Sequence, residues 1–417
     1  MKQKHLVVIG GGAAGFFTAI NAAAMRPGLK VTILEKSSKL LSKVSVSGGG
    51  RCNVTHACFD IEEMIRRYPR GMHFVRKAFH QFFTSDTIAW FLERGVKLKT
   101  ESDGRMFPVT NTSSTIVECL LKEAALHHVE IVTNAGVSAI EAATGDDSTG
   151  FYVHITGREK TRADFVCIAC GGYPKDVQFG WIKALGHTIN APLPSLFTFN
   201  MPGNAVTELM GVSVPTAVVK IKGTSLKEEG PLLITHWGMS GPVVLRLSAW
   251  GAKELSERHY HFEIAVNWLP QYTEHSLREE WNDLRLQYAT QKMYSRNPFE
   301  LPARLWQYLL DQAGVDKEQR WSSLPGKQQN ELIRLLTMQE FEVKGKTTFK
   351  EEFVTCGGVA LSEVDVNTMQ SKKQPGIYFA GEVLDVDGIT GGFNFQHAWT
   401  SGWIAAGGIG DKVISDK

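Results

Sequence analysis

The chain has 417 residues, of which 43% are hydrophobic and 21% charged, and its formal net charge is +2. This length allows two or three globular domains, and so small a net charge gives no general attraction for nucleic acid or an anionic membrane. No apolar run reaches the roughly 18 residues that a membrane-spanning helix needs. The six cysteines are too scattered for a disulfide framework or a metal site. We therefore expect a cytoplasmic protein that binds no metal, membrane or nucleic acid.

The first 35 residues contain the pattern of a dinucleotide-binding strand–helix–strand unit. The apolar run Leu6–Ile9 is typical of a buried parallel strand. Glycines in G-x-G-x-x-G spacing, a small-residue helix and a second strand ending in an acid follow it: Gly10, Gly12, Gly15, Ala13–Met25, Lys30–Leu34 and Glu35. The glycines permit a tight turn, approach to a pyrophosphate and close helix–strand packing. Free N–H groups at the helix start, at Ala13 and Ala14, would bind phosphate, and Glu35 would bind a ribose diol.

Four separated segments resemble parts of one nucleotide-binding domain: 1–56, 115–141, 164–172 and 354–410. Between the last two, residues 193–235 alternate in polarity as strands do, and residues 274–340 have helical periodicity. We predict an α/β fold with a Rossmann-type domain at 1–190 and 351–417. An inserted β domain would occupy 191–270 and 341–350, and a helical subdomain 271–340.

A glycine triplet, Gly48–Gly50, precedes Arg51, Cys52 and Asn53. Consecutive glycines leave backbone N–H groups bare enough to line a flat ligand, so Gly49 and Gly50 are predicted cofactor contacts, and Arg51 and Asn53 add donors. The alternative is a flexible loop. Cys52 also has two interpretations, a reactive thiol beside Arg51 or a packing residue, and we favour packing.

A second glycine-rich motif lies near the C-terminus, between Gly381 and Gln396. Glu382 follows a glycine that ends a predicted strand, a position suited to binding the hydroxyls of a polyol such as ribityl. Gly391 and Gly392 then open a helix predicted at 394–406. The N-terminus of that helix would stabilise negative charge on the edge of an electron-rich ring.

Together these motifs resemble the bacterial FAD-dependent oxidoreductases related to aminoacetone oxidases and 3-dehydro-bile-acid Δ4,6-reductases. The matching segments extend over nearly the whole chain: Gly10–Gly15 with Glu35 and Lys36, Ser47–Asn53, Gly104–Pro108, Thr235–Pro242 and Gly381–Gln396. The resemblance implies a Rossmann-type FAD domain, a β-barrel-like insert and a helical piece. The family pattern usually has an aromatic residue after Gln396, whereas this chain has His397, which would alter packing or polarity beneath the ring.

The resemblance also implies cofactor contacts that spacing alone does not give. Val137 would meet the adenine through the backbone beside Gly136. Gly171 and Gly172 would pass near the diphosphate or ribityl. Three residues would lie at the flavin: Asp387, Asn394 and Phe395.

Arg105 and His236 are predicted substrate-binding residues. Arg105 would hold an anionic or carbonyl substrate, and His236 would bind or protonate substrate. Each also has a structural alternative, which for His236 is capping the turn before a helix at 242–256. The basic stretch 66–70 is typical of a solvated face, with anion binding as the alternative. No catalytic residue is assigned.

The predicted function is two-electron redox chemistry by non-covalently bound FAD, with hydride transfer at flavin N5 on a small organic substrate. One direction is reduction of a conjugated C=C with NADH or NADPH as electron donor; no second G-x-G-x-x-G indicates a separate nicotinamide domain. The alternative direction is oxidation of an aminoacetone-like amine with oxygen. A flavin-dependent RNA-modifying protein or a non-catalytic FAD-binding protein is the alternative of another class, and the mixed charges of the insert, such as Arg278 beside Glu279, argue against it. The oligomeric state stays open.

Overall fold

The computed structural model describes residues 3–143, 149–347 and 354–415. The α-helices of these residues are α1 (Ala13–Met25), α2 (Ser42–Gly50), α3 (Ile61–Ile65), α4 (Met72–Phe79), α5 (Thr84–Glu93), α6 (Ser114–Leu126), α7 (Gly180–Lys183), α8 (Pro242–Trp250), α9 (Ala252–Glu257), α10 (Glu274–Gln287), α11 (Ala303–Gln312), α12 (Gly326–Met338) and α13 (Phe393–Ser415). The β-strands are β1 (His5–Ile9), β2 (Lys30–Leu34), β3 (Thr55–His56), β4 (Leu98–Thr100), β5 (Arg105–Pro108), β6 (Glu130–Val132), β7 (Val137–Ala142), β8 (Phe151–Ile155), β9 (Thr161–Ala163), β10 (Phe165–Ile168), β11 (Ile189–Pro194), β12 (Thr198–Asn200), β13 (Ser213–Ile221), β14 (Lys227–Thr235), β15 (Gly238–Ser240), β16 (His261–Asn267), β17 (Gln339–Lys344), β18 (Lys346–Thr347), β19 (Thr355–Val359) and β20 (Ile377–Phe379).

The chain divides into two units, which we call the larger unit (Met1–Ser195 with Lys350–Lys417) and the inserted unit (Leu196–Phe349). The predicted boundaries at 190 and 351 lie a few residues away. The separate helical subdomain at 271–340 stays a prediction.

A five-stranded parallel sheet forms the centre of the larger unit, in the order β20-β10-β1-β2-β6. Its strands come from all four of the separated segments that were predicted to belong to one nucleotide-binding domain. The strands β1, β10 and β20 are almost wholly apolar and buried, as a parallel sheet covered on both faces requires. The helix α1 and the strand β2 have the predicted bounds, whereas α13 is longer than predicted.

Three small antiparallel sheets complete the larger unit: β3-β5-β4, β7-β8-β9 and β11-β19. The first carries Arg105 at the start of β5 and lies next to the glycine triplet in sequence. The third brings Thr355 at the start of β19 beside Pro194 at the end of β11.

A seven-stranded antiparallel sheet, β17-β16-β13-β14-β15-β12-β18, forms the inserted unit together with the helices α8 to α12. The edge strands β17 and β18 are consecutive in the chain and joined at Gly345, so the sheet closes on itself in the predicted barrel-like manner. The predicted single helix at 242–256 is wrong, because it is broken at Gly251 into α8 and α9. A Cβ at Gly251 would lie 3.0 Å from the side chains of Leu226 and Leu255, so tight packing selects glycine there.

Candidate functional site

The glycine turn between β1 and α1 is closed by backbone packing. Gly10 has φ +118°, and a Cβ there would lie 2.3 Å from the Ala169 carbonyl oxygen; a Cβ at Gly15 would lie 1.9 Å from the Gly10 carbonyl oxygen. A Cβ at Gly12, in contrast, would meet nothing within 4 Å. Gly12 begins α1 without a side-chain cap, so the first N–H groups of the helix remain available to an anion.

Glu35 lies at the carboxyl end of β2, beside this turn. Its carboxylate accepts the Gly11 N–H at 2.8 Å and the Ser37 N–H at 2.8 Å. Glu35 therefore holds the glycine turn in place through hydrogen bonds. Its predicted role is to bind a ribose. The exposed Lys36 ammonium lies over the Tyr173 ring, 5.2 Å from its centroid.

The start of β7 lies beside Glu35, at the carboxyl end of β2. The Ala135 N–H donates to the Glu35 carbonyl at 2.8 Å, and a Cβ at Gly136 would lie 3.7 Å from Cβ of Lys36. Val137 follows directly, so the residues predicted for the adenine and for its ribose lie together.

Glu382 occupies the middle of the site. Its carboxylate accepts the Thr355 N–H at 2.9 Å and pairs with the Lys43 ammonium at 2.5 Å. Cβ atoms at Gly171 and Gly172 would lie 3.8 and 3.1 Å from the same carboxylate. The structure thus brings the predicted Gly171, Gly172 and Glu382 together.

The glycine triplet has left-handed backbone at all three positions, with φ of +59° at Gly48, +69° at Gly49 and +82° at Gly50. A Cβ at Gly48 would lie 2.8 Å from the Phe107 ring, whereas Cβ atoms at Gly49 and Gly50 would meet nothing within 4 Å. The backbone of Gly49 and Gly50 is therefore open to a ligand.

The residues after the triplet are already engaged. The Arg51 guanidinium pairs with Glu101 at 2.5 Å and lies over the Phe107 ring, 4.0 Å from its centroid. Cys52 is wholly buried, and burial raises the pKa of its thiol to about 12. A buried neutral thiol suits the packing interpretation.

Asn53 supports the turn that begins α13. The side-chain amide is assigned the orientation in which both its oxygen and its nitrogen form hydrogen bonds. The oxygen accepts the Gly392 N–H at 3.0 Å, and the nitrogen donates to the Thr55 carbonyl at 2.9 Å. Gly392 has φ +92°, and a Cβ there would lie 2.6 Å from the Thr55 carbonyl oxygen. The turn and β3 therefore touch through backbone atoms.

The first turn of α13 is held by its own side chains. Asn394 accepts the Gly388 N–H and donates to the Gly388 carbonyl, both at 2.8 Å. The Phe395 ring stacks on Trp399, with centroids 5.8 Å apart. These contacts hold the start of α13 in place. The backbone N–H groups of its first turn then point out from the N-terminal end of the helix.

Asp387 is completely buried and pairs with Arg70, while Ser195 donates a hydrogen bond to the same carboxylate. Burial raises the pKa of Asp387, an effect that the Arg70 guanidinium opposes. Arg70 therefore does not belong to a solvated basic face, unlike the exposed Arg66 and Arg67. The Asp387 side chain supports the loop that leads to α13.

The two predicted substrate residues lie in different units. Arg105 of the larger unit pairs with Asp103 at 2.7 Å and with Glu101 at 3.3 Å, so its charge is balanced. His236 of the inserted unit is exposed beside the Trp237 ring, with centroids 4.1 Å apart.

Sequence reasoning missed His56, at the end of β3. Its ring stacks on Phe393, with centroids 4.7 Å apart, and its Nδ1 lies 3.1 Å from the Gly391 carbonyl oxygen. Gly104, with φ +85°, leaves the space for this ring, because a Cβ there would lie 2.4 Å from His56 Nε2. His56 is partly buried, which lowers its pKa against the opposing effect of the Gly391 carbonyl. A lone histidine after a glycine motif gives no signal of such a position.

The family model described as the HI0933-like protein Rossmann domain matches residues 4–408. The chain belongs to the HI0933-like family. It is 29% identical to the 3-dehydro-bile acid delta(4,6)-reductase of Clostridium scindens, over 97% of this chain and 98% of that protein. It is 30% identical to the ribosomal RNA dihydrouridine synthase of Escherichia coli, over 97% and 98% respectively. The 3-ketosteroid delta1-dehydrogenase of Sterolibacterium denitrificans shares the fold, with 12% identity, a TM-score of 0.51 and coverage of 98% of this chain and 99% of that chain.

This HI0933-like chain is thus an FAD-dependent oxidoreductase, and its larger unit fits the cofactor. Cβ atoms at Gly12, Gly49 and Gly50 would meet no atom within 4 Å, so these positions face open space, as a cradle for a ligand requires. Two buried polar groups, the Thr355 hydroxyl and the His397 ring, have no hydrogen-bond partner among the described residues. Both lie near Glu382.

The described residues of this HI0933-like chain offer neither a metal site nor a membrane-spanning helix. No group of three or more histidine, cysteine or acidic residues there could hold a metal ion. No helix in those ranges is long and apolar enough to span a membrane. The six cysteines, all within the described residues, form no disulfide, and burial raises the pKa of Cys167 to about 12 and of Cys170 to about 11.

Proposed function

We propose that the protein reduces a C=C bond conjugated to a carbonyl, using FAD and electrons from NADH or NADPH. The open backbone at Gly12, Gly49 and Gly50 and the uncapped start of α1, all in the larger unit, support the cofactor part of this proposal. The names of two full-length relatives support it. A 3-dehydro delta(4,6) steroid and a uridine both contain a C=C bond conjugated to a carbonyl, and a reductase and a dihydrouridine synthase both saturate such a bond.

The residues of the larger unit would hold the cofactor from end to end. The N–H groups of α1 at Ala13 and Ala14 would bind the diphosphate, next to Gly12. Glu35 would bind the adenosine ribose. The adenine would lie against the Val137 backbone.

The remaining contacts would hold the ribityl chain and the ring. Glu382 would bind ribityl hydroxyls between Gly171 and Gly172. The ring would lie against the open backbone of Gly49 and Gly50. The N-terminus of α13 would then stabilise negative charge on the pyrimidine edge, because the helix dipole and free N–H groups favour an anion there. Bound FAD supplies the two-electron redox chemistry.

The chain must also supply a proton, since saturating the bond adds a proton as well as a hydride. We assign this role to His56. Its Nδ1 is held by the Gly391 carbonyl next to the start of α13, which fixes the ring and leaves Nε2 as the atom that exchanges a proton. Arg105 lies on the neighbouring strand β5, directly opposite His56 in the register, and would orient the substrate carbonyl.

A uridine in ribosomal RNA is a second candidate substrate. The Escherichia coli relative of that name is as similar to this chain as the steroid enzyme. Arg66 and Arg67 are exposed in the segment that supports the α13 turn, where the Ile389 N–H donates to the Arg67 carbonyl at 2.9 Å. Exposed arginines there suit RNA phosphates, although basic and acidic residues balance in the inserted unit.

The test is the visible spectrum of the anaerobic protein after NADH and then NADPH are added. We expect an oxidised flavin spectrum that bleaches with one of the two. Reoxidation is then compared for a 3-oxo-4,6-diene steroid and for unmodified ribosomal RNA, with mass spectrometry detecting the gain of two hydrogens. A flavin that stays oxidised with both nucleotides but bleaches with aminoacetone would instead make the protein an amine oxidase. A protein that binds no flavin would refute the cofactor assignment.

A further inference from the structure

His397, in the first turns of α13, is a buried imidazole whose two ring nitrogens have no hydrogen-bond partner among the described residues. Its relative exposure is 2%. A buried polar group left without a partner costs about 1–3 kcal/mol. The neighbouring Gln396 avoids that cost, because its side-chain amide forms hydrogen bonds with the hydroxyl groups of Thr55, Thr87 and Thr400.

The ring lies on the side of α13 that faces the middle of the cofactor site. Ser401, one turn further along the helix and therefore on the same face, accepts the Gly381 N–H at 2.8 Å. Burial lowers the pKa of the ring, and the nearby Gly381 backbone and Glu382 carboxylate oppose that effect. A Cβ at Gly381 would lie 2.7 Å from Cβ of Ala14, so this side also borders the start of α1.

A second buried group without a partner lies across Glu382. The Thr355 hydroxyl has no partner among the described residues, although the Thr355 N–H binds the Glu382 carboxylate. A Cβ at Gly172 would lie 3.0 Å from the same hydroxyl oxygen. Two independent side chains thus present unused hydrogen-bonding atoms around one stretch of the site.

We propose that His397 and Thr355 bind the central part of FAD, where the ribityl chain meets the diphosphate, through hydrogen bonds to its oxygens. This inference rests on the proposed function, because it assumes that Glu382 marks the ribityl position. A neutral imidazole has one N–H donor and one acceptor nitrogen, which suits a phosphate oxygen or a hydroxyl. Burial lowers the pKa of His397 to about 4, so the ring is neutral at physiological pH.

The test measures FAD affinity by calorimetric titration of the apoprotein. His397→Phe keeps an aromatic ring and removes both nitrogens, and we expect it to weaken FAD binding about tenfold, the effect of one buried hydrogen bond. Thr355→Val should weaken it about fivefold. His397→Gln keeps an N–H donor and should bind FAD more tightly than His397→Phe.

Two further readouts separate direct binding from a structural role. The apoprotein of His397→Phe should unfold at the same or a higher temperature than wild-type apoprotein, because a partnerless imidazole is replaced by an apolar ring. The midpoint potential of the bound flavin should not change, since the contact lies away from the ring. FAD affinities within twofold of wild type, a destabilised apoprotein or a shifted potential would each overturn the inference. Wild-type protein that binds no FAD would refute the proposed function instead.

Discussion

Gly10–Gly15 and Gly48–Gly50 are both glycine-rich turns of the larger unit, but an added methyl group would meet different surroundings in each. At Gly10 and Gly15 it would overlap backbone atoms, at 2.3 and 1.9 Å. At Gly49 and Gly50 it would meet no atom within 4 Å, although the positive φ angles still favour glycine. The first turn therefore needs glycine to pack the protein, and the second needs it for backbone conformation and an open surface.

This comparison implies that glycine substitutions separate folding from binding. The first turn contains both closely packed and open glycines, because a Cβ at Gly12, like one at Gly49, would meet no atom within 4 Å. A sequence motif such as G-x-G-x-x-G does not distinguish them, since it records only residue type and spacing.

The largest effect is expected for Gly15→Ala. Its Cβ would lie 1.9 Å from a backbone carbonyl oxygen, which cannot rotate away, so α1 and β1 must separate. We expect the free energy of unfolding to fall by at least about 3 kcal/mol, measured by urea denaturation. The matched control is Gly12→Ala, which should fold normally but lose FAD affinity. Equal stability of the two variants would show that close packing against backbone atoms does not require glycine at position 15.

Short-range signals predicted much of the fold. The bounds of α1 and β2 follow directly from residues 13–34, because apolar runs, glycine spacing and Arg26-Pro27-Gly28 all act locally. The break at Gly251 was missed, because it depends on Leu226, a residue distant in sequence.

The site was predictable only where a motif carries it. The pairing of Arg70 with Asp387 joins residues 317 positions apart, and Arg70 looked like one member of a basic stretch. His56 and Thr355 belong to no motif, so only the folded chain shows that they lie beside Gly391 and Glu382.

Asp387→Ala tests whether the loop that leads to α13 depends on buried support. The change would remove the buried carboxylate that balances the Arg70 charge, which typically lowers the free energy of unfolding by about 3–5 kcal/mol. Urea denaturation measures the loss. The exposed pair Arg76–Glu62 is the control, and Glu62→Gln should cost less than about 1 kcal/mol. Similar losses at both pairs would show that burial does not set the difference.

His56→Gln tests whether His56, beside the start of α13, donates the proton during substrate reduction. We expect the rate of substrate reduction to fall about 100-fold, the usual contribution of a positioned acid. A proton donor acts in its protonated form, and burial lowers the pKa of His56 below 6.5. The wild-type rate should therefore fall as pH rises through that lowered pKa, and the variant should lose this dependence. Replacing the exposed His80 by glutamine should change neither the rate nor the pH profile, and an unchanged profile in His56→Gln would remove His56 from the mechanism.

Gly49→Ala should lower the free energy of unfolding less than Gly15→Ala or Asp387→Ala. Its φ of +69° makes alanine unfavourable by about 1–2 kcal/mol, while no clash adds to this. Gly157 is a matched control, since it has φ +72°, no atom within 4 Å and an exposed position between β8 and β9. Both variants should lose the same stability in urea, but only Gly49→Ala should bind FAD more weakly in calorimetric titration. If Gly157→Ala weakens FAD binding equally, the loss reflects general destabilisation; if neither does, the open backbone of the second turn does not face the cofactor.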